Sequence, residues 1–90
     1  MAHSRQAKKR ARQNKVRAAR NSPYRTRATR RLRDARWAVD DGDADAAEQV
    51  RLAQSALDQA SRRGIIHRNT AARKKSRLAA QLKALQTAEA

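Results

Sequence analysis

Alanine supplies most of the apolar side chains in this chain: 21 of the 35 are Ala, against six Leu, three Val, two Ile and single Met1, Tyr24 and Trp37. A side chain that small removes little surface from water, and a chain of 90 residues buries a modest share of its surface in any case. What alanine does offer is close approach between backbones and the highest helix propensity of any residue. Arg, Gln, Leu and Lys, all good helix formers, fill many of the remaining positions, while the β-branched and aromatic residues that strands favour are scarce. These limits leave an all-α fold of closely packed helices around a thin core.

The breaks divide the chain into three helices, at about 4–41, 44–63 and 69–87. Gly42 and Gly64 follow helical stretches and can take the left-handed conformation that closes a helix. Asp45 with Glu48 three residues later has capping-box spacing, with Asp43 as a competing cap, and Asn69 or Thr70 can open the third helix. Each helix carries an apolar stripe at helical spacing: Tyr24, Ala28, Leu32, Ala35 and Val39 on the first, Ala46, Val50, Ala53, Leu57 and Ala60 on the second, Ala71, Leu78, Leu82 and Leu85 on the third. Three such stripes close into a three-helix bundle.

Length sets the first helix apart. The second and third each span roughly 26–30 Å, which residues 22–41 match, so residues 4–21 project by roughly 27 Å as a long basic extension. Val16 is the one apolar side chain larger than Ala in that stretch, so the extension has nothing to bury and is expected to fray free in solution. Ser22 as a cap and Pro23 at a first helical position suit a fresh helix start, dividing a basic helical extension, 1–21, from a bundle, 22–90, with a helix over about 22–41.

Charge is segregated along the same lines. Residues 1–33 carry 13 Lys+Arg and no acid, residues 34–60 carry seven acids and two Arg, and residues 61–77 carry seven Lys+Arg and no acid. With a net charge of +15, the expected partner is a polyanion. Chemistry is poorly provided for. There is no Cys, His3 and His67 lack companion ligands, and two Gly cannot build a phosphate-cradling loop, so neither an enzyme, a resident cofactor nor a small-molecule substrate is expected. The four aspartates Asp40, Asp41, Asp43 and Asp45 are accounted for by a helix–helix turn and the dipole of the helix that follows. No apolar run has the length of a membrane span, and the reading is of a soluble, cytoplasmic protein without a membrane partner.

Nucleic acid remains, and the helix faces say how it would be met. Thr26, Arg30, Arg33 and Trp37 lie opposite the first apolar stripe. Asn69, Arg73, Ser76 and Arg77 face outward on the third helix, with Lys74 and Lys75 at the core edge. The second helix turns Asp45, Glu48, Leu52 and Gln59 outward, a surface that repels phosphate. The first and third helices are therefore the binding ones. Trp37 can stack on a base or ribose, fold over the acidic turn, or pack against a neighbouring protein; His67 is best placed to cap the turn before the third helix. A histone-like DNA-compaction protein is the alternative the charge allows, with a membrane-surface protein or a helical adaptor behind it.

Particular residues carry a resemblance. The run Gly64-Ile65-Ile66-His67-Arg68-Asn69-Thr70-Ala71-Ala72-Arg73-Lys74-Lys75-Ser76-Arg77-Leu78 resembles the signature of ribosomal protein twenty of the bacterial small subunit, the S-twenty family. Gln6-Ala7-Lys8-Lys9-Arg10 with Arg12, Gln13 and Asn21 resembles that family's opening, and Gly42-Asp43 falls at its first turn. The resemblance implies a three-helix bundle with a long first helix, bound directly to several segments of 16S ribosomal RNA beside other small-subunit components, with an early role in assembly. It also implies that Lys8, Lys9, Arg10 and Arg12 lie among phosphates and that His67, Arg68, Asn69, Arg73, Lys74 and Lys75 meet RNA. Together with the charged faces this makes the rRNA-binding set Arg5, Lys8, Lys9, Arg10, Arg12, Lys15, Arg17 and Arg20 on the extension, Arg27, Arg30, Arg33 and Trp37 on the bundle half of the first helix, and His67, Arg68, Asn69, Arg73, Lys74, Lys75 and Arg77 at the third.

Overall fold

The computed structural model describes residues 4–89, so His3 lies outside the described residues, as do the extreme ends of the expected extension and bundle. Three helices account for nearly all of it: α1 (Arg5–Asp40), α2 (Ala46–Arg62) and α3 (Arg68–Glu89). Each boundary has a local cause. The Ser4 hydroxyl accepts the Ala7 N–H at 3.0 Å and opens α1. At the far end Gly42 takes φ 67°, letting its own N–H reach the Val39 carbonyl and the Asp43 N–H reach that of Ala38. Gly64 repeats the arrangement after α2, with φ 73° and bonds from Gly64 and Ile65 back to Ser61 and Ala60. These paired bonds form the Schellman ending, and the hydrophobic contact that accompanies it is present where Ile65 packs on the core.

The long first helix expected over about 4–41 forms, and three finer expectations are corrected. The fresh start that Ser22-Pro23 suits is not used: α1 is a single helix of 36 residues with Pro23 inside it. Proline's fixed φ suits a helix, and both residues are exposed, so water can serve the Ala19 carbonyl that loses its amide partner. The capping box does not form either. Asp45 holds the N-cap position with helical backbone angles (φ −83°, ψ 0°) in place of the extended ones a capping side chain needs, and Glu48 bonds Arg51 instead. The third helix opens earlier than Asn69 or Thr70, at Arg68, because His67 caps it through its ring: the Asn69 N–H donates to His67 Nδ1 at 3.1 Å.

The core is built as alanine content requires. Ala28, Leu32, Ala35, Val39, Val50, Ala53, Leu57, Ala60, Ala71 and Leu78 are buried, all of them on the expected stripes, with Leu57 and Leu78 the largest fully enclosed side chains. Leu82 and Leu85 are half-buried at its far end, and Leu52, expected outside, is half-buried too. Helix α2 lies in the middle: it packs along α1 most extensively and along α3 next, while α1 and α3 meet over the smallest area. Tyr24 fastens the end of α2 to α1, with the Arg63 guanidinium 3.8 Å from its ring centroid.

The described residues span 67 × 20 × 19 Å with a radius of gyration of 17.9 Å. A compact chain of this length would have a radius near 12 Å. The excess is α1, about 54 Å long at 1.5 Å per residue, whose first half contacts neither partner helix closely enough to bury a side chain.

Candidate nucleic-acid interface

Nothing in residues 5–20 is held by packing. Arg5, Lys8, Lys9, Arg10, Arg12, Lys15, Arg17 and Arg20 are all exposed, and none is ion-paired among the described residues. At roughly 100° per residue they cover about two-thirds of the helix circumference. The remainder, Ala7, Ala11, Asn14, Ala18 and Asn21, is small and uncharged. The opening turn places Arg5 and Lys8 at the positive end of the helix dipole, an arrangement that costs stability unless an anion is nearby.

The stripe of Lys8, Arg12 and Lys15 continues along the same side of α1 through Thr26, Arg30, Arg33 and Trp37, each exposed. Trp37 is 59% exposed, and the Arg33 guanidinium sits 5.0 Å from its ring centroid while also bonding Asp34 at 3.3 Å. Arg27 is less available: it donates to Gln59 on α2 at 3.4 Å and lies 5.9 Å from the Tyr24 ring.

On α3, Arg68, Asn69, Arg73 and Arg77 are exposed. His67 is exposed as well, and because its Nδ1 accepts a hydrogen bond, the neutral ring carries its proton on Nε2, a donor already available to an anion. Lys74 and Lys75, adjacent in sequence, part company. Lys75 turns to α2 and pairs with Asp58 at 3.0 Å, spending its charge within the protein. Lys74 turns to α1, where the loose α1–α3 contact leaves a groove of about 520 Å³. Arg25, Arg33 and Arg36 of α1 line the same groove, over a floor that includes Ala28, Leu32 and Leu57. The groove thus joins the basic surfaces of α1 and α3 into one.

Arg25 and Arg36 were absent from the residues singled out by sequence. Both fall beside the apolar stripe of α1 on its wheel, but only the side on which α3 packs makes them neighbours of Lys74. The outer face of α2 satisfies its own charges. Glu48 accepts from Arg51 Nε at 2.9 Å, and that hydrogen bond holds the Glu48 carboxyl below its ordinary value and raises the guanidinium. Asp41, Asp43 and Asp45 border a hollow on the far side of Trp37, so this ring stands where basic and acidic surfaces meet. Among the described residues no group of three potential ligands could hold a metal ion, and no helix is long and apolar enough to cross a membrane.

Comparison with known proteins gives one consistent result. The family model described as Ribosomal protein S20 matches residues 2–83. The small ribosomal subunit protein bS20 of Ruegeria sp. (strain TM1040) is 51% identical over 86 residues, covering 94% of this chain and 99% of the relative. The bS20 protein of Dinoroseobacter shibae is 49% identical over 86 residues, with 94% and 98% covered. That of Paracoccus denitrificans is 47% identical over 89 residues, with 98% of this chain and all of the relative covered.

Proposed function

The chain belongs to the ribosomal protein S20 family, and from that premise we propose that it binds 16S ribosomal RNA directly and holds separate RNA segments together as the small subunit assembles. Membership makes it a structural, non-enzymatic component of the small ribosomal subunit, located with the ribosome in the cytoplasm. The single observation that supports direct RNA binding is the extension: eight cations, none ion-paired among the described residues, on a helix end that projects from the bundle and puts no side chain into the core. Each cation that meets a phosphate releases condensed counterions, the main source of affinity in such contacts. Because the cations surround most of the helix, phosphates can be met on more than one side, as a helix passing between RNA segments requires.

On this reading residues 1–21 form the RNA-binding extension and 22–90 the bundle, which docks through α1 and α3 with α2 turned away. Residues Arg30, Arg33, His67, Arg68, Asn69, Arg73, Lys74 and Arg77 extend the contact along the bundle, while Arg27 and Lys75 contribute after releasing Gln59 and Asp58. Sequence preference comes from RNA shape, since A-form helices hide their major-groove edges from side chains.

The test is competition at about 0.15 M salt, a near-physiological ionic strength. A labelled 16S rRNA domain is challenged with unlabelled cognate RNA, unrelated structured RNA and duplex DNA of equal mass; the cognate RNA is expected to compete best. Replacing Lys8, Lys9, Arg10 and Arg12 with Ala should lower the slope of log affinity against log salt by roughly 3 to 4. Equal competition by all three would favour the DNA-compaction reading, and an unchanged slope would remove the extension from the interface.

A further inference from the structure

The groove between α1 and α3 carries features that phosphate contacts alone do not use. Three of its cations, Arg25, Arg36 and Lys74, have no ion-pair partner among the described residues. Its floor is apolar, with the half-buried Ile66 lying over the nearly enclosed Ala28, Leu32 and Leu57, and Trp37 stands at its edge. A duplex backbone would satisfy the cations and leave the apolar floor in water. An apolar peptide would cover the floor and leave three cations desolvated without partners, which is costly. The occupant that meets both demands has a flat apolar body attached to an anion.

We propose that this groove takes a single unstacked nucleotide of the bound RNA, its base lying against Trp37 and the apolar floor and its flanking phosphates held by Arg25, Arg36 and Lys74. The proposal rests on the rRNA-binding reading above and deepens it by naming a site for one extruded base. The size fits: about 520 Å³ falls within the roughly 300–1,000 Å³ of clefts that accept small ligands. From Arg25 to Trp37 is about 18 Å along α1. That is short for a docked protein, which needs about 800 Å² of its own surface in contact. Arg33 already holds the indole from one side through a cation–π contact, which fixes the ring while leaving it 59% exposed. Single-stranded RNA is read elsewhere by this combination of an aromatic platform and surrounding cations.

Trp37 is the only Trp in the chain, so its emission reports on this groove and on the acidic hollow the ring also borders, which repels a polyanion. The full chain is titrated with the 16S rRNA domain, with a fully paired RNA duplex of equal length and with polyglutamate, and separately concentrated alone. The rRNA domain is expected to quench the emission, while the duplex binds through charge without quenching. Trp37→Ala should weaken rRNA binding about tenfold and Trp37→Phe should restore most of the loss, because a ring is needed rather than indole. Since the side chain is exposed, both variants keep the fold, which circular dichroism checks. If the rRNA binds as tightly to Trp37→Ala and leaves wild-type emission unchanged, the nucleotide site is wrong while rRNA binding stands. If no rRNA binds at all, both readings fail together. Quenching by polyglutamate, or on concentrating the protein alone, would give the groove to an acidic protein or to a second copy and overturn the proposal.

Discussion

Two glycines decide where the helices stop, and they do so for reasons that a single substitution isolates. A Cβ placed on Gly64 meets nothing within 4 Å, so the cost of Gly64→Ala is conformational alone: an L-residue forced to φ 73°. The expected loss is about 1 kcal/mol, read as a fall of roughly 4–8 °C in the thermal midpoint. Gly64→Asn should lose clearly less, since Asn visits the left-handed region more readily. Equal losses would mean that the backbone angle is not what the site demands. Both glycines were legible in sequence because few residues can replace them. His67 was legible as a cap of the turn before the third helix, although histidine is not among the favoured capping residues; what the sequence could not supply is the ring nitrogen that meets the Asn69 N–H.

At the scale of the element, α1 combines features that do not favour an isolated helix. Cations crowd its positive end, Asp40 and Asp41 stand at its negative end, and Pro23 removes one hydrogen bond near its middle. Asp43 and Asp45, by contrast, precede α2 where carboxylates are favoured, so only half of the acidic turn has the simple electrostatic account its sequence suggested. Replacing Pro23 with Ala should raise helix stability locally by up to about 3 kcal/mol. The gain belongs in the extension: amide exchange over residues 5–23 should slow, while the unfolding midpoint of the bundle moves little, because no side chain on the extension is buried in the core. A bundle midpoint rising in step would show that the two halves unfold as one. The apolar stripes were readable because burial imposes the helical period on them. The continuity of α1 was not, because Ser-Pro is as compatible with a helix start as with a solvated interior turn, and exposure decides between them.

At the scale of the molecule the basic surface that α1 and α3 share stands apart from the acidic turn at residues 40–45, while α2 is balanced, with Glu48 and Asp58 against Arg51 and Arg62. Chemical footprinting of the RNA complex should reflect that sorting. Acetylation of Lys8, Lys9, Lys15 and Lys74 is expected to slow on binding, while carbodiimide labelling of Asp45 and Glu48 proceeds as in the free protein; protection of those carboxylates would place α2 at the interface. The helix order and the basic faces could be inferred from sequence, but the α1–α3 groove could not. An apolar stripe tells a helix which face to bury, not on which flank its second neighbour settles, and that flank is what brings Arg25 and Arg36 to Lys74. The unbroken α1 has one more consequence. Because a single rod of about 54 Å carries both the extension and the bundle's basic surface, contact made at one end confines the other to a small volume around its own target. The second contact is then intramolecular, governed by effective concentration and not by the amount of free protein, so two individually weak contacts hold with the avidity of a bivalent ligand. Stiffness sets that gain: a rod that spans the distance between its targets wastes no encounters, and a hinge at residue 23 would dilute them.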